Sequence, residues 1–397
     1  MKTIFDKVVN RKGTFCTQWD YIEDRFGEKD LLPFSISDMD FRSPPEIIQA
    51  LEERLHHGVF GYTRWNHMEF KSAIQYWFRR RFACTVQADW IVYSPSVIYT
   101  VSRLIHQLTD PGDHIVIQTP AYDAFFKVIQ DNGRNMSCND LKIEQGRYTI
   151  DFDDLERKLA DPKAKLFLLC SPHNPTGRVW SQEELARMLD LCRAHRVFVV
   201  SDEIHMDIVH GPGSHIPVVK AAESTDHVCL CTSASKTFNT PGLGGSYAFI
   251  PNPSVREKFL LQLKNQDGLS SASIFGMLAT IRAYSACEEW ADQLRAYLYH
   301  NLRMVEQFLR QHLPDLSFTL PESTYLAWID VSDLGFSSEE LQEALVHKAK
   351  VAIMRGEVYG EAGRGFLRMN VGCPRVKVQE GLRRLKKAVD ELKGCSR

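Results

Sequence analysis

The sequence predicts an α/β protein: a large domain built on a mainly parallel, doubly wound sheet, with a smaller α+β domain beside it. Three observations predict this. From about residue 90 to residue 251, short β-rich apolar runs follow one another: "IVYSP", "HIVIQTP", "LFLLCSP", "VFVVSDE", "VCLCTSAS" and "SYAFIP". Runs apolar on both faces belong to strands covered on two sides. Amphipathic stretches such as "SQEELARMLDLCRAH" separate them, as crossover helices separate parallel strands. Beyond about residue 280 a long helical stretch, "EEWADQLRAYLYHNLRMVEQFLRQHL", gives way to short strands alternating with helices, "TYLAWIDV", "LQEALVHKAK", "VAIMRG", "GFLRMNVG" and "VQEGLRRLKKAV". That change of rhythm marks the second domain. We place the large domain at 46–284 and the small domain at 1–45 joined to 285–397.

The length of 397 residues fits two closely packed domains, with no repeat, low-complexity tract or flexible linker between them. The 48 basic and 50 acidic side chains nearly cancel, and a net charge of −2 offers no general attraction to nucleic acid or an anionic membrane. There is no appended helix-turn-helix, so direct nucleic-acid binding is not expected. No run approaches the roughly 20 apolar residues that span a bilayer, and "MKTIFDKVVNRKGTF" lacks a signal-peptide core. Ten scattered cysteines with no framework spacing point to a reducing cytoplasm. Cys229 and Cys231 alternate on one strand and His56 and His57 are adjacent; neither is a metal-ligand spacing, and no metal is expected.

Ligands of parallel α/β sheets bind beyond the carboxyl ends of the strands, so the residues there carry the chemistry. "LFLLCSPHNPTG" leads to Asn174, "VFVVSDEIH" to Asp202 and His205, and "VCLCTSASK" to Ser233, Ser235 and Lys236. Each alone is ordinary: an Asn-Pro turn, a helix cap, a Ser-x-x-Lys. Together they converge on one volume that suits pyridoxal phosphate. That cofactor needs a lysine to hold its aldehyde, a carboxylate to keep its ring nitrogen protonated, and donors for its phenolate oxygen. Lys236, Asp202 and Asn174 supply these. Its phosphate needs a helix N-terminus. "YSPSVIYTVSRLIHQL" provides one, opening at Ser96, Val97 and Ile98. "TPAYDAFF" places Tyr122 after the next strand, where its ring can stack on the cofactor.

"HNPTG", "SDEIH" and "SASKTFN" together resemble the fold-type I pyridoxal-phosphate enzymes of the aminotransferase superfamily. "CTQWDY", "LLPFSISDMDF", "HGVFGYTRW", "PSVIYTV", "STYLAWID" and "GFLRMNVGCPR" extend the similarity to the MalY/PatB branch, carbon-sulfur β-lyases of the cystathionine β-lyase type. The matching segments run from near residue 9 to residue 375. The resemblance implies a PLP-dependent transferase (aminotransferase-like) fold and assigns roles. Lys236 carries the cofactor and serves as base at the substrate Cα, Asp202 pairs with the ring nitrogen, and Asn174 reaches the phenolate oxygen. His205, where many relatives carry tyrosine, acts at the same oxygen. Val97, Ile98, Ser96, Ser233 and Ser235 form the phosphate cup. Tyr62 is lent across a homodimer interface to the neighbour's phosphate, giving shared active sites. Arg368 grips the substrate carboxylate, with Tyr62 and Trp65 near the substrate. Many aminotransferases carry a phosphate-binding arginine eight residues beyond the lysine; here that position is Gly244, as in the lyase branch.

The expected reaction is α,β-elimination from L-cystathionine and related S-alkyl cysteines to thiol, pyruvate and ammonia, in the service of methionine synthesis or of sulfur scavenging. The competing reading is a PLP-dependent aminotransferase, since the cofactor residues serve either route. The resemblance also implies a role of another class, contact with a transcription activator of a maltose regulon.

Overall fold

The computed structural model describes residues 3–395, without the side chain of Cys395. Seven strands form the principal sheet: β1 (Ile91–Ser94), β2 (His114–Thr119), β3 (Asn135–Asp140), β4 (Ala164–Cys170), β5 (Phe198–Asp202), β6 (Val228–Thr232) and β7 (Ser246–Phe249). Their order across the sheet is β1-β7-β6-β5-β4-β2-β3. The pairs β6–β5, β5–β4, β4–β2 and β2–β3 are parallel, whereas β7 runs antiparallel to both neighbours. The sheet is therefore mainly parallel, as the doubly apolar runs require, with the "SYAFIP" strand reversed. Every residue of β1, β6 and β7 is buried.

The register places the strand ends side by side. Cys170 of β4 pairs with Asp202 of β5, and Asp202 pairs with Cys231 of β6. Helices cover the sheet, and their starts are written locally. Ser96 caps α1 (Val97–Leu108) by accepting from the Tyr99 N–H at 3.1 Å. Ser181 and Glu184 cap α3 (Gln182–Ala194) reciprocally, while α2 (Asp123–Asp131) starts directly after Tyr122. Such caps contribute about 1 kcal/mol each and set where the chain turns from strand to helix.

The expected long helix is α6 (Glu288–His312), which follows α5 (Ile274–Ala286). Beyond it a three-stranded antiparallel sheet forms in the order β8 (Leu326–Asp330), β10 (Phe366–Asn370), β9 (Met354–Arg355). The chain ends on α7 (Arg375–Cys395). The N-terminal segment runs onto this part of the molecule: Leu32–Pro33 pairs in parallel with Val351–Ala352, and the Asn370 N–H donates to the Phe34 carbonyl. Among the described residues no helix is long and apolar enough to cross a membrane.

Candidate active site

A cavity of about 200 Å³ opens beyond the ends of β4, β5 and β6. Asn174, Tyr122, Asp202, His205, Ser233, Ser235 and Lys236 line it, together with Ser96, Val97 and Ile98 at the start of α1. The ends of the parallel strands β2, β4, β5 and β6 and one helix N-terminus deliver these side chains to a common volume.

Lys236 lies on the one-turn helix α4 (Ser235–Phe238) directly after β6. Its Nζ donates to the Ser37 carbonyl oxygen at 2.5 Å. Burial lowers the amine to about 8, reinforced by the Arg368 guanidinium and opposed by the carboxylates of Asp38 and Asp202. Asp202, at the end of β5, is buried and accepts from the Ile204 N–H at 3.1 Å. Burial raises its carboxyl to about 7; the neighbouring Glu203 adds to the rise and Lys236 opposes it. An acid pushed up and an amine pushed down at one site both report a pocket that disfavours unpaired charge.

Burial also lowers His205 to about 3, so its ring is neutral. Its edge faces the Tyr325 ring at 5.9 Å, and its buried Nδ1 has no hydrogen-bond partner among the described residues. Desolvation raises the Tyr122 phenol to about 12, keeping it protonated. Ser233 Oγ donates to the Gly245 carbonyl at 2.8 Å and accepts from the Ser235 N–H at 3.1 Å, which fixes the turn before Lys236.

Arg368 of β10 is buried one step behind this wall. Its Nη1 donates to Asn174 Oδ1 at 3.2 Å and its Nη2 to the Ser35 carbonyl at 2.8 Å, while its guanidinium lies 4.6 Å from the centre of the Tyr359 ring. Its Nε, also buried, has no partner among the described residues. A buried guanidinium with an unused donor is poised for an anion.

Two expected residues stand apart from the cavity within this chain. Tyr62 is fully exposed, and Trp65 is buried beneath Lys71, whose Nζ sits 5.9 Å from the indole ring. Other residues escaped the sequence reading: Ser37, Cys170, Pro241 and Gly245 also line the cavity, and Tyr325 donates to the same Ser37 carbonyl at 2.9 Å. Only their distance from Lys236 in space identifies them. Gly244, the position that departs from many aminotransferases, lines the cavity with φ 65°, and its carbonyl rests on α5. A Cβ on Gly276 of α5 would fall 1.6 Å from the Gly244 oxygen, so this wall exists only because Gly276 has no side chain.

The donor set fits pyridoxal phosphate. It offers a lysine amine of lowered basicity, a buried carboxylate, an orphaned imidazole nitrogen, and hydroxyls beside the N–H groups that open α1. Among the described residues no cluster could hold a metal ion.

Comparison with known proteins gives the same direction. Residues 29–385 match the family model for aminotransferase class I and II. The chain is 49% identical to Protein MalY of Escherichia coli (strain K12), over 97% of this chain and 98% of that one. It is 41% identical to cystathionine beta-lyase PatB of Bacillus subtilis (strain 168), over 97% and 99%. Its fold superposes on the crystal structure of cystalysin from Treponema denticola, which contains pyridoxal 5'-phosphate, with a TM-score of 0.93 and 34% identity over 99% of this chain and 100% of that one. The chain therefore belongs to the class I and II aminotransferase family, in its MalY/PatB branch, and has the fold-type I architecture of that family.

Proposed function

We propose that this protein is a pyridoxal-phosphate-dependent carbon-sulfur β-lyase acting on L-cystathionine and related S-alkyl cysteines. The observation that carries the reading is the single cavity shared by Lys236, Asp202, Asn174, His205 and the start of α1. The overall reaction takes the amino acid and one water to a thiol, pyruvate and ammonium.

The chemistry supplied by bound pyridoxal phosphate is withdrawal of the electron pair left at Cα when that carbon loses its proton. The chain's own residues do the rest. Lys236 holds the cofactor; once freed, its Nζ, lowered to about 8, takes the Cα proton near neutral pH. Asp202 would hold the proton on the ring nitrogen; a cation there also relieves the strain that burial places on its carboxylate. Asn174 and His205 would meet the phenolate oxygen, and Tyr122 would cover the ring. Ser96, Val97, Ile98, Ser233 and Ser235 would receive the phosphate.

Arg368 would take the substrate carboxylate with the donor it leaves unused. Tyr62 is assigned to the phosphate of a second copy of this chain, in a homodimer with shared sites; its full exposure within one chain supports that. The same reading divides the chain at 46–284, which contains all seven principal strands, and 1–45 with 285–397. It places the protein in the cytoplasm, in keeping with unbridged cysteines among the described residues.

The test is release of thiol and pyruvate from cystathionine and S-methylcysteine by cofactor-loaded protein, abolished in Lys236→Ala, with borohydride trapping mapped to Lys236. Label on another side chain overturns the assignment. Glutamate-dependent keto-acid exchange without pyruvate favours the aminotransferase alternative. The resemblance further implies contact with a maltose-regulon transcription activator; retained binding of such a protein by Lys236→Ala would separate that role from catalysis.

A further inference from the structure

The stretch "SDEIHMD", residues 201–207, places three carboxylates in one buried segment. Asp202 lines the lysine cavity. Glu203 comes directly after it, and the alternation of side chains along a strand turns Glu203 to the face of Ser201, away from Asp202. Its contacts agree. Ser201 Oγ donates to Glu203 Oε1 at 2.9 Å, and the Val218 N–H donates to the same oxygen at 2.8 Å. His215 Nε2 meets the other oxygen, Oε2, at 2.6 Å; the Glu203 and His215 side chains are 0% and 1% exposed. The backbone is tied down as well, the Glu203 N–H donating to the Cys231 carbonyl and its own carbonyl accepting from Thr232 Oγ1. A carboxylate with three donors on it is fixed behind the sheet, yet the proposed reaction gives it no part.

The groups around Glu203 are committed elsewhere or carry no charge. Asp207 accepts from Trp77 Nε1 at 2.8 Å and from Thr237 Oγ1, next to Lys236, at 3.0 Å, with Arg81 and His215 near enough to oppose its rise. Arg81 itself is bonded to Glu288 and Asp292. Lys220 turns to the Phe82 carbonyl at 2.8 Å. The thiols of Cys84, Cys170 and Cys231 and the phenol of Tyr247 are pushed up by burial, with Glu203 adding to each rise, so they stay protonated. On the cavity side stand Lys236 and Arg368. His215 sits edge-on to the Phe82 ring at 5.6 Å, its Nδ1 has no partner among the described residues, and it lines a cavity of about 240 Å³ with Arg80, Arg81, Asp207, Glu288 and Arg295.

We infer that Glu203, held by His215, is a positioning residue for the cofactor: it adds a second fixed negative charge behind Asp202 and strengthens the site's hold on the protons at the ring nitrogen and at the linkage to Lys236. A unit charge within a folded protein acts over such a span because little water screens it. Two carboxylates facing one cationic ring make both protons harder to lose. This goes beyond the lyase reading; it rests on pyridoxal phosphate being held at Lys236, not on the reaction that follows.

The experiment titrates with pH the visible absorbance of cofactor bound to the whole protein, which reports the proton on the linkage to Lys236. Glu203→Gln keeps the shape and the acceptor for Ser201 and Val218, and its amide donates to His215 in the other tautomer. Its midpoint should fall by about 0.5–1 pH unit, the effect of removing one charge at about 10 Å. His215→Gln keeps an uncharged donor to Glu203, and its midpoint should not fall. His215→Lys, with the neighbouring cavity to take the longer chain, sets a cation against an untouched Glu203. Its midpoint should lie about 0.5 pH unit or more below that of His215→Gln. If Glu203→Gln does not fold, the contrast between the two His215 variants decides. A packing role alone would move both glutamine variants together, since they alter the same contact. Equal midpoints in wild type and Glu203→Gln, an equal fall in both glutamine variants, or no difference between His215→Gln and His215→Lys overturns the assignment while leaving the cofactor reading intact. No visible band in the wild type, or a band that persists in Lys236→Ala, overturns the cofactor reading and this inference with it.

Discussion

The Lys236 amine and the Ser37 carbonyl oxygen meet at 2.5 Å, although 199 residues separate them in the chain. Tyr325 donates to the same oxygen at 2.9 Å. The lysine is therefore held at a defined place with a lowered pKa, and the first prediction concerns its protonation.

Covalent capture of pyridoxal phosphate needs the neutral amine. With the amine lowered from 10.5 to about 8, the rate of capture by cofactor-free protein should rise with pH through a midpoint near 8 and level off above it. Stopped-flow absorbance measures this. A rate still climbing steadily toward 10.5 would show an amine not lowered by its surroundings.

Asp202→Asn should have opposite effects on cofactor and fold. The carboxyl is raised from 3.8 to about 7, so ionising it costs the folded state an increasing amount between those values and a constant amount above 7. Removing it should stabilise cofactor-free protein above pH 7 by roughly 1–3 kcal/mol, a gain that fades as pH falls toward 4. Cofactor-loaded activity should fall at the same time, because nothing then holds the ring-nitrogen proton. Thermal unfolding at several pH values and a rate assay read the two effects.

Arg368→Lys keeps the charge but loses the planar fork. The KM for amino acid substrates should rise about 10- to 100-fold with a smaller change in kcat. Arg368→Ala should raise it further and lower the melting temperature, since Asn174 Oδ1 and the Ser35 carbonyl both lose their donor.

Mixing two defective variants tests the shared site. Tyr62→Ala and Lys236→Ala should each be impaired alone. Subunit exchange between them should restore about a quarter of wild-type activity, because half the dimers are hybrids and each hybrid holds one intact site of two. No recovery, with exchange verified by mass, would remove Tyr62 from the neighbour's site.

Much of this molecule is legible along the chain. Strands apolar on both faces declared a buried parallel sheet, and the polar residues stranded at their ends line one cavity. Ser96 announced the helix that opens on the cavity, because a cap is bonded to residues three positions away. Asn174, Asp202 and Lys236 could be brought together from sequence because a parallel sheet aligns the ends of its strands.

What only the tertiary structure decided lies across long separations. Arg368 and Ser35, 333 residues apart, and Lys236 and Ser37 meet through folding alone, and no periodicity records such contacts. The same holds for the ion pair between Lys377 of the last helix and Asp40 near the start of the chain. Local sequence determines conformation and therefore elements, caps and strand ends; burial, unspent donors and pKa depend on which distant groups those elements bring into contact.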